Sequence, residues 1–291
     1  MASKRIDQRE RSILEIAAGS WEDERRNVFA ACYRVMRKVD DIVDNRRAEK
    51  TPISVSERRQ LLRKISDVMS GDRDENGRRR FKELCRRFVM PSWPWRRWNR
   101  AMRYDLATGF FPTYDGFLRY AEGAAIAPGA IFMHLCGLTR HGGRFSPPRF
   151  NIHHAAQPLA LFCYHVHILR DLNEDAAAGI IFIPDDILGE HGLSRDQFLA
   201  ALASNDTPAL RGIIAFYHRR ASVYLHEVVP ALANVLPLME ERYQRSIRIL
   251  YALYRAVYEK IDPSRNRYTG NALALSPREK KRIASAPHLH F

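Results

Sequence analysis

Apolar residues recur along this chain at intervals of three and four positions, the signature of one helix face, and strand-like alternation is nearly absent. The pattern predicts helices over about 8–18, 24–46, 55–70, 78–89, 94–107, 113–137, 151–177, 194–203, 207–233 and 235–261. Polar, Gly and Pro residues cluster between them, at GDRDENG (71–77), TRHGGRFSPP (139–148) and IDPSRNRYTGN (261–271). None of these is long enough for a flexible interdomain linker, and no repeat is visible. The expectation is one all-α domain over residues 1–291, a bundle of long helices around a central cavity. It should close on a short helix and a loose tail from about residue 272.

Composition narrows this picture. Hydrophobic residues are 46% and charged residues 27% of the 291, enough for a sizeable core. No run approaches the roughly 18 uninterrupted apolar residues of a membrane span. The N-terminal MASKRIDQRERS lacks the apolar core of a secretory signal. Cys32, Cys85, Cys136 and Cys163 are widely separated in apolar helical contexts, which reads as reduced core cysteine and a cytoplasmic protein. The formal charge is +14, yet the arginines are dispersed and no nucleic-acid motif is present, so no nucleic-acid partner is expected. The densest clusters, Arg78–Arg80 and Arg96–Arg100, read as solvated faces, or as surfaces that attract phosphorylated substrates or anionic lipid headgroups in a peripheral membrane contact.

Against that basic background the acids gather twice. VDDIVD holds Asp40, Asp41 and Asp44, and HILRDLNED holds Asp171, Glu174 and Asp175. Helical spacing puts the first set on one stripe with Arg37 and Tyr33, and the second on one stripe with His167 and Tyr164. The other side of the second helix, Leu159, Phe162, Cys163, Val166 and Leu169, is apolar. Two carboxylates one turn apart cost an isolated helix about 0.2–0.5 kcal/mol, and more inside a cavity, unless a cation neutralises them. Carboxylates are hard ligands suited to Mg²⁺, which keeps waters and bridges protein acids to substrate phosphates. Two facing clusters therefore suit a diphosphate whose departure leaves an allylic cation in an apolar pocket. Arg37 and Arg170 can bond the phosphate oxygens. The competing reading is a pair of solvated acidic faces; its weakness is that the pattern occurs twice, each time in a long apolar helix.

These residues resemble the squalene/phytoene synthase family, from about Asp23 to Lys281. CYRVMRKVDDIVDN is similar to the family's Y-x-x-x-R-x-x-D-D-x-x-D helix, matching Tyr33, Arg37, Asp40, Asp41 and Asp44. ILRDLNEDAAAGIIFIPDDIL is similar to its second motif, matching Arg170, Asp171, Glu174, Asp175, Gly179, Pro184, Asp186 and Leu188. Weaker matches are Asp105 in MRYDL and the segment YAEGAAIAPG, and Tyr254 matches a tyrosine of the family's last helix. The resemblance implies an all-α isoprenoid-synthase fold with Mg²⁺ held by Asp40, Asp41, Asp44, Asp171, Glu174 and Asp175. It further implies head-to-head condensation of farnesyl or geranylgeranyl diphosphate to a thirty- or forty-carbon isoprenoid, with NADPH entering in the squalene-forming members. Asp40, Asp44, Asp171, Asp175 and His167 are the candidate catalytic residues, and Arg37, Arg170, Tyr33, Tyr164, Phe162 and Tyr254 the candidate substrate contacts.

Departures from the family pattern lie close to the chemistry. Where the family reads Q-L-T-N this chain has Tyr164, His165, Val166 and His167, and a small residue before them is Phe162. The arginine and tyrosine after Gly179 are Ile180 and Phe182, and the N-terminal S-F-x-x-A segment is reduced to Ser20 and Trp21. His167 is open to two readings, a group acting on metal, phosphate or a proton, or a packed histidine. His165 points to another side of the helix and reads as structural. Two alternatives to head-to-head condensation follow: cyclisation or transfer of one prenyl group to another acceptor, and a non-enzymatic factor that keeps the fold.

Overall fold

Two 26-residue helices carry the acids, α2 (Asp23–Ala48) and α8 (Ile152–Ala177). The computed structural model describes residues 12–49, 51–70, 75–204, 207–265 and 270–286. In α2 the apolar residues Val28, Cys32, Val35, Val39 and Val43 fall three or four apart and are buried, so one stripe holds the helix to the core. Asp23 and Glu24 open it and Arg46 and Arg47 close it, each charge set against the helix dipole. In α8 the Asn151 side chain caps the start by accepting from the backbone N–H of His153 and His154, at 3.0 and 3.2 Å.

Around this pair lie α1 (Ile13–Ala17), α3 (Val55–Met69), α4 (Glu75–Arg87), α5 (Ser92–Ala107), α6 (Tyr114–Ala121) and α7 (Ala127–Gly137). Then follow α9 (Asp185–Glu190), α10 (Arg195–Ser204), α11 (Pro208–Ala233), α12 (Glu241–Tyr258), α13 (Gly270–Leu273) and α14 (Pro277–Ser285). Helix α11 packs along α8, whose other neighbours include α7, α12 and α13, so α8 runs through the middle of the bundle. All four cysteines are free, as their apolar settings predict. Among the described residues no helix is long and apolar enough to cross a membrane.

The predicted elements need correction at several places. The helix expected over 113–137 is divided by a wider turn at Glu122–Ile126, where the backbone shifts to i→i+5 hydrogen bonding. A side chain at Gly123 would strike the Arg97 carbonyl at 2.3 Å, so glycine lets α5 cross against this turn. The helix expected over 235–261 begins at Glu241, after a short tight turn at Leu236–Leu238. TRHGGRFSPP is more than a break: Thr139–His141 pairs antiparallel with Arg144–Ser146, joined through Gly142 and Gly143 at φ 55° and 80°. The short α9 was not expected. Residues 8–11 of the first predicted helix, and residues 287–291 of the predicted tail, lie outside the described residues.

Candidate active site

A cavity of about 870 Å³ lies between α2, α5, α7, α8 and α12. Its lining has a direction. Along α2 the lining residues run from Tyr33 and Met36 to Asp40, Asp44 and Arg47. Along α5 they run from Trp98 and Met102 to Asp105, and along α8 from Ala156, Leu159 and Ala160 to Asp171, Glu174 and Asp175. On α5 and α8 the apolar residues come first and the charged ones last; on α2, Tyr33 and Met36 precede a stretch in which Arg37, Asp40, Asp44 and Arg47 enclose Val43. One end is therefore ionic and the other hydrocarbon.

Most of the sequence-predicted site residues meet here: Tyr33, Arg37, Asp40, Asp44, Tyr164, His167, Arg170, Asp171, Glu174, Asp175 and Tyr254 all line the cavity. Two do not. Asp41 turns away and pairs with Arg37 at 3.5 Å, both half exposed, because a step of one residue rotates a side chain by about 100° around the helix. Phe162 is fully buried against Tyr251 and Tyr258, with ring centroids 6.2 and 5.7 Å apart, so its bulk fills the α8–α12 interface and not the pocket. Leu159 and Cys163, read from the sequence as packing residues, line the cavity instead. Trp98 also lines it, whereas Trp93 and Trp95 do not. Ser20 and Trp21 are absent from the lining; Trp21 is a core residue whose indole N–H donates to the Ser246 hydroxyl at 2.7 Å.

Electrostatics divides the acids into neutralised and unneutralised groups. The Arg170 guanidinium grips Asp171 with two bonds of 2.6 and 2.7 Å, and together with His167 these bonds hold the carboxyl below its ordinary value although burial opposes them. Asp40 is pushed up to about 8, first by burial and then by the Asp44 charge. Asp175 is pushed up to about 7, first by burial and then by Asp171 and by Asp44 across from α2. Carboxylates on two helices thus repel one another across the cavity, a donor set that a divalent cation satisfies. Among the described residues no three His, Cys, Asp or Glu side chains form a closed metal cage. Mg²⁺ needs no such cage, since it takes one or two protein carboxylates and completes its octahedron with water and phosphate oxygens.

His167 receives a definite tautomer. Its Nδ1 lies 2.7 Å from Arg170 Nη2 and 3.3 Å from Asp171 Oδ2; a guanidinium can only donate, so in the shorter contact Nδ1 accepts and the proton sits on Nε2. Burial, with Arg170 and Arg37, pushes this imidazole down to about 4, against the pull of Asp171. In this arrangement His167 is neutral and carries its proton on Nε2. His165 is the structural histidine its position predicts. Its Nδ1 donates to the Leu161 carbonyl at 2.7 Å, which leaves Nε2 to accept from the Tyr114 hydroxyl at 2.8 Å.

Sequence reasoning missed Arg47. It lines the ionic end, bonds Asp105 at 3.1 Å and the Gly109 carbonyl at 2.9 Å, and opposes the rise in pKa that burial imposes on both Asp44 and Asp175. The signal was its place three residues after Asp44 on the same stripe. Asp105 accepts from the Tyr120 hydroxyl at 2.7 Å as well, and burial raises it to about 6 against the pull of Arg47. Motif residues downstream serve construction. Gly179, at φ 79°, closes α8 and turns the chain so that Ile180 and Phe182 enter the lining. Asp186 accepts the Tyr114 backbone N–H at 2.9 Å and so fixes the start of α6.

Residues 18–279 match the family model of squalene/phytoene synthase. The chain belongs to that family. It is 22% identical over 241 residues to phytoene synthase 1, chloroplastic, of Zea mays, covering 82% of this chain and 56% of that protein. It is 23% identical over 266 residues to phytoene synthase 1, chloroplastic, of Arabidopsis thaliana, covering 91% and 59%. The chain thus spans somewhat over half the length of these curated relatives. Among solved structures it superposes on a dehydrosqualene synthase crystallised with a ligand, with a TM-score of 0.70, 18% identity and coverage of 93% and 88%. A squalene synthase, HpnC from Alicyclobacillus acidocaldarius, gives 0.64, 17%, 84% and 86%. The fold is the helical isoprenoid-synthase fold. Within that family frame, the places of an arginine and a tyrosine in the second motif are held here by Ile180 and Phe182, and both line the cavity.

Proposed function

We propose that this chain is a Mg²⁺-dependent prenyltransferase that ionises farnesyl or geranylgeranyl diphosphate and condenses it head to head with a second prenyl diphosphate. The observation that carries this reading is the two-ended cavity, with Asp40, Asp44, Asp171 and Asp175 at one end and aliphatic and aromatic side chains at the other. Arg37, Arg170 and the Nε2–H of His167 bond the diphosphate oxygens, and Asp40, Asp44, Asp171, Glu174 and Asp175 are the ligands for Mg²⁺. When bound, Mg²⁺ supplies the positive charge that lets diphosphate depart. Tyr33, Tyr164 and Tyr254 line the cavity and supply aromatic rings that can stabilise the allylic cation. The hydrocarbon wall of Met36, Trp98, Met102 and Leu159 holds the prenyl chain and excludes the water that would quench the cation.

Ile180 and Phe182 favour a second reading. They make apolar a stretch of wall close to the acids, which suits cyclisation or one prenyl group passed to an uncharged acceptor. Incubation with each prenyl diphosphate from geranyl to geranylgeranyl, with Mg²⁺ and with or without NADPH, followed by mass spectrometry, separates the readings. A hydrocarbon with twice the substrate's carbon count supports head-to-head coupling; a monomeric terpene or a prenylated acceptor supports the second reading. If a non-hydrolysable prenyl diphosphate analogue gives no Mg²⁺-dependent thermal stabilisation, both give way to a non-enzymatic factor.

A further inference from the structure

Helices α8 and α4 end in the same hydrogen-bonded turn, but on different residues. At the end of α8, Gly179 N–H bonds Ala176 O at 2.9 Å and Ile180 N–H bonds Asp175 O at 2.8 Å, with Gly179 in the left-handed region. At the end of α4, Val89 N–H bonds Arg86 O at 3.1 Å and Met90 N–H bonds Cys85 O at 2.8 Å, with Val89 at φ 47°. Glycine adopts this conformation without strain, and a β-branched residue does not. Val89 is the one non-glycine residue with positive φ among the described residues. The fold gains little from its side chain, which is 41% exposed, while neighbouring Phe88 is fully buried and stacked on Phe145 of the β-hairpin at 4.5 Å. A strained apolar group is therefore held out from the surface.

Its surroundings are cationic. Arg86 and Arg87 stand in the last turn of α4, and the Phe88–Phe145 stack brings Arg140 and Arg144 of the hairpin alongside. The nearby acids at the start of α2 are engaged, Asp23 by Arg26 and Glu24 by Arg87 and Arg140. Arg86 and Arg144 are exposed and form no ion pair among the described residues. This turn also sits at the hydrocarbon end of the bundle. Arg25, near the start of α2, bonds the Leu135 carbonyl near the end of α7 at 2.8 Å, and α5 and α8 begin on the same side.

We propose that this end of the molecule docks on an anionic lipid bilayer, with Val89 entering the interface and Arg86 and Arg144 meeting headgroup phosphates. An acidic protein partner would be served by the charges alone. A strained, exposed valine next to Arg86 and Arg87 in the same turn calls for an apolar layer beneath the phosphates, and a bilayer offers both. The proposed reaction adds a reason, since a hydrocarbon made in the cavity would leave at the end facing its natural solvent; the docking itself does not rest on that reading.

The test is co-sedimentation of the full chain with vesicles of phosphatidylcholine, alone or mixed with phosphatidylglycerol. The wild type is expected to pellet with the mixed vesicles, to be released by salt, and to ignore the neutral ones. Each arginine near an anionic surface strengthens partitioning about 5-fold, so Arg86→Ala with Arg144→Ala should weaken it roughly 25-fold. Val89→Gly should weaken it too while holding or raising the thermal midpoint, which separates docking from folding. Failure of the wild type to bind mixed vesicles overturns the proposal. So does Val89→Gly binding them as the wild type does, which would mark the patch as a purely electrostatic contact for an acidic partner. Because sedimentation reads no turnover, a negative result leaves the prenyl-transfer reading standing, and the reverse holds.

Discussion

Replacing Arg47 by methionine tests how the ionic end is held together. The guanidinium and the Asp105 carboxylate it bonds are 10% and 4% exposed, so the change strands a buried charge. Removing one partner of such a pair costs about 3–5 kcal/mol. The lower end applies, because the Tyr120 hydroxyl still donates to Asp105 at 2.7 Å. The cost depends on pH in a fixed direction. Asp105 stands at about 6 against an ordinary 3.8, raised by burial and most strongly opposed by Arg47, so the variant raises it further. An acid whose folded pKa is raised carries no penalty below its unfolded value and the full penalty above its folded one. The deficit of Arg47→Met should therefore be larger at pH 8 than at pH 5 in urea unfolding followed by circular dichroism. At pH 8, Arg47→Met with Asp105→Asn should recover at least about 1.5 kcal/mol relative to the sum of the single changes. Equal deficits at the two pH values, or simple additivity, would refute the coupling.

His165 is held neutral near 4 between Tyr114, Tyr217, Tyr224 and Arg220, so its contribution is full above pH 6.5 and is lost as pH falls toward 4, about 3 kcal/mol in all. His165→Phe should flatten that part of the thermal-midpoint curve; an unchanged acid slope would place the titration elsewhere. Asp40→Asn or Asp175→Asn should cut diphosphate release by about 100-fold or more without lowering the thermal midpoint, because each removes a half-buried, repelled carboxylate. Near-normal turnover in either would end the metal-site assignment. Ile180→Arg with Phe182→Tyr restores polar groups to the wall and should change the product profile by mass spectrometry; an identical profile makes the two residues incidental. Phe162→Ala should cost about 3–5 kcal/mol in urea unfolding with substrate preference intact, and a shift in chain-length preference would return Phe162 to the substrate.

What was legible in advance followed short-range rules. The 3.6-residue period located α2, α8 and α11 to within a few residues, because a helix that buries one stripe must repeat it every turn. The division at Glu122–Ile126 was not legible: it follows from how closely α5 crosses at Gly123, a contact between distant parts of the chain. The hairpin was half legible, since two consecutive glycines announce a tight turn but not the Phe88–Phe145 stack that seats it. Asp41 and Phe162 show the same limit within the site. Sequence alignment matches residues by motif, while a side chain's direction depends on which helix packs where.

By itself the sequence determined the fold class, the two acidic helices and the motifs that carry the family resemblance. Charge spacing along a helix is a local property, so the two carboxylate clusters can be read wherever the helices sit. The tertiary structure alone decided that the acids face one another across a cavity polar at one end and hydrocarbon at the other. It alone supplied Arg47 as the partner of Asp105, tied His167 Nδ1 to Arg170, and set Val89 out on a strained turn among arginines. Each of these joins residues far apart in the chain or fixes a side chain's direction in space, and such facts come into being only when the helices pack.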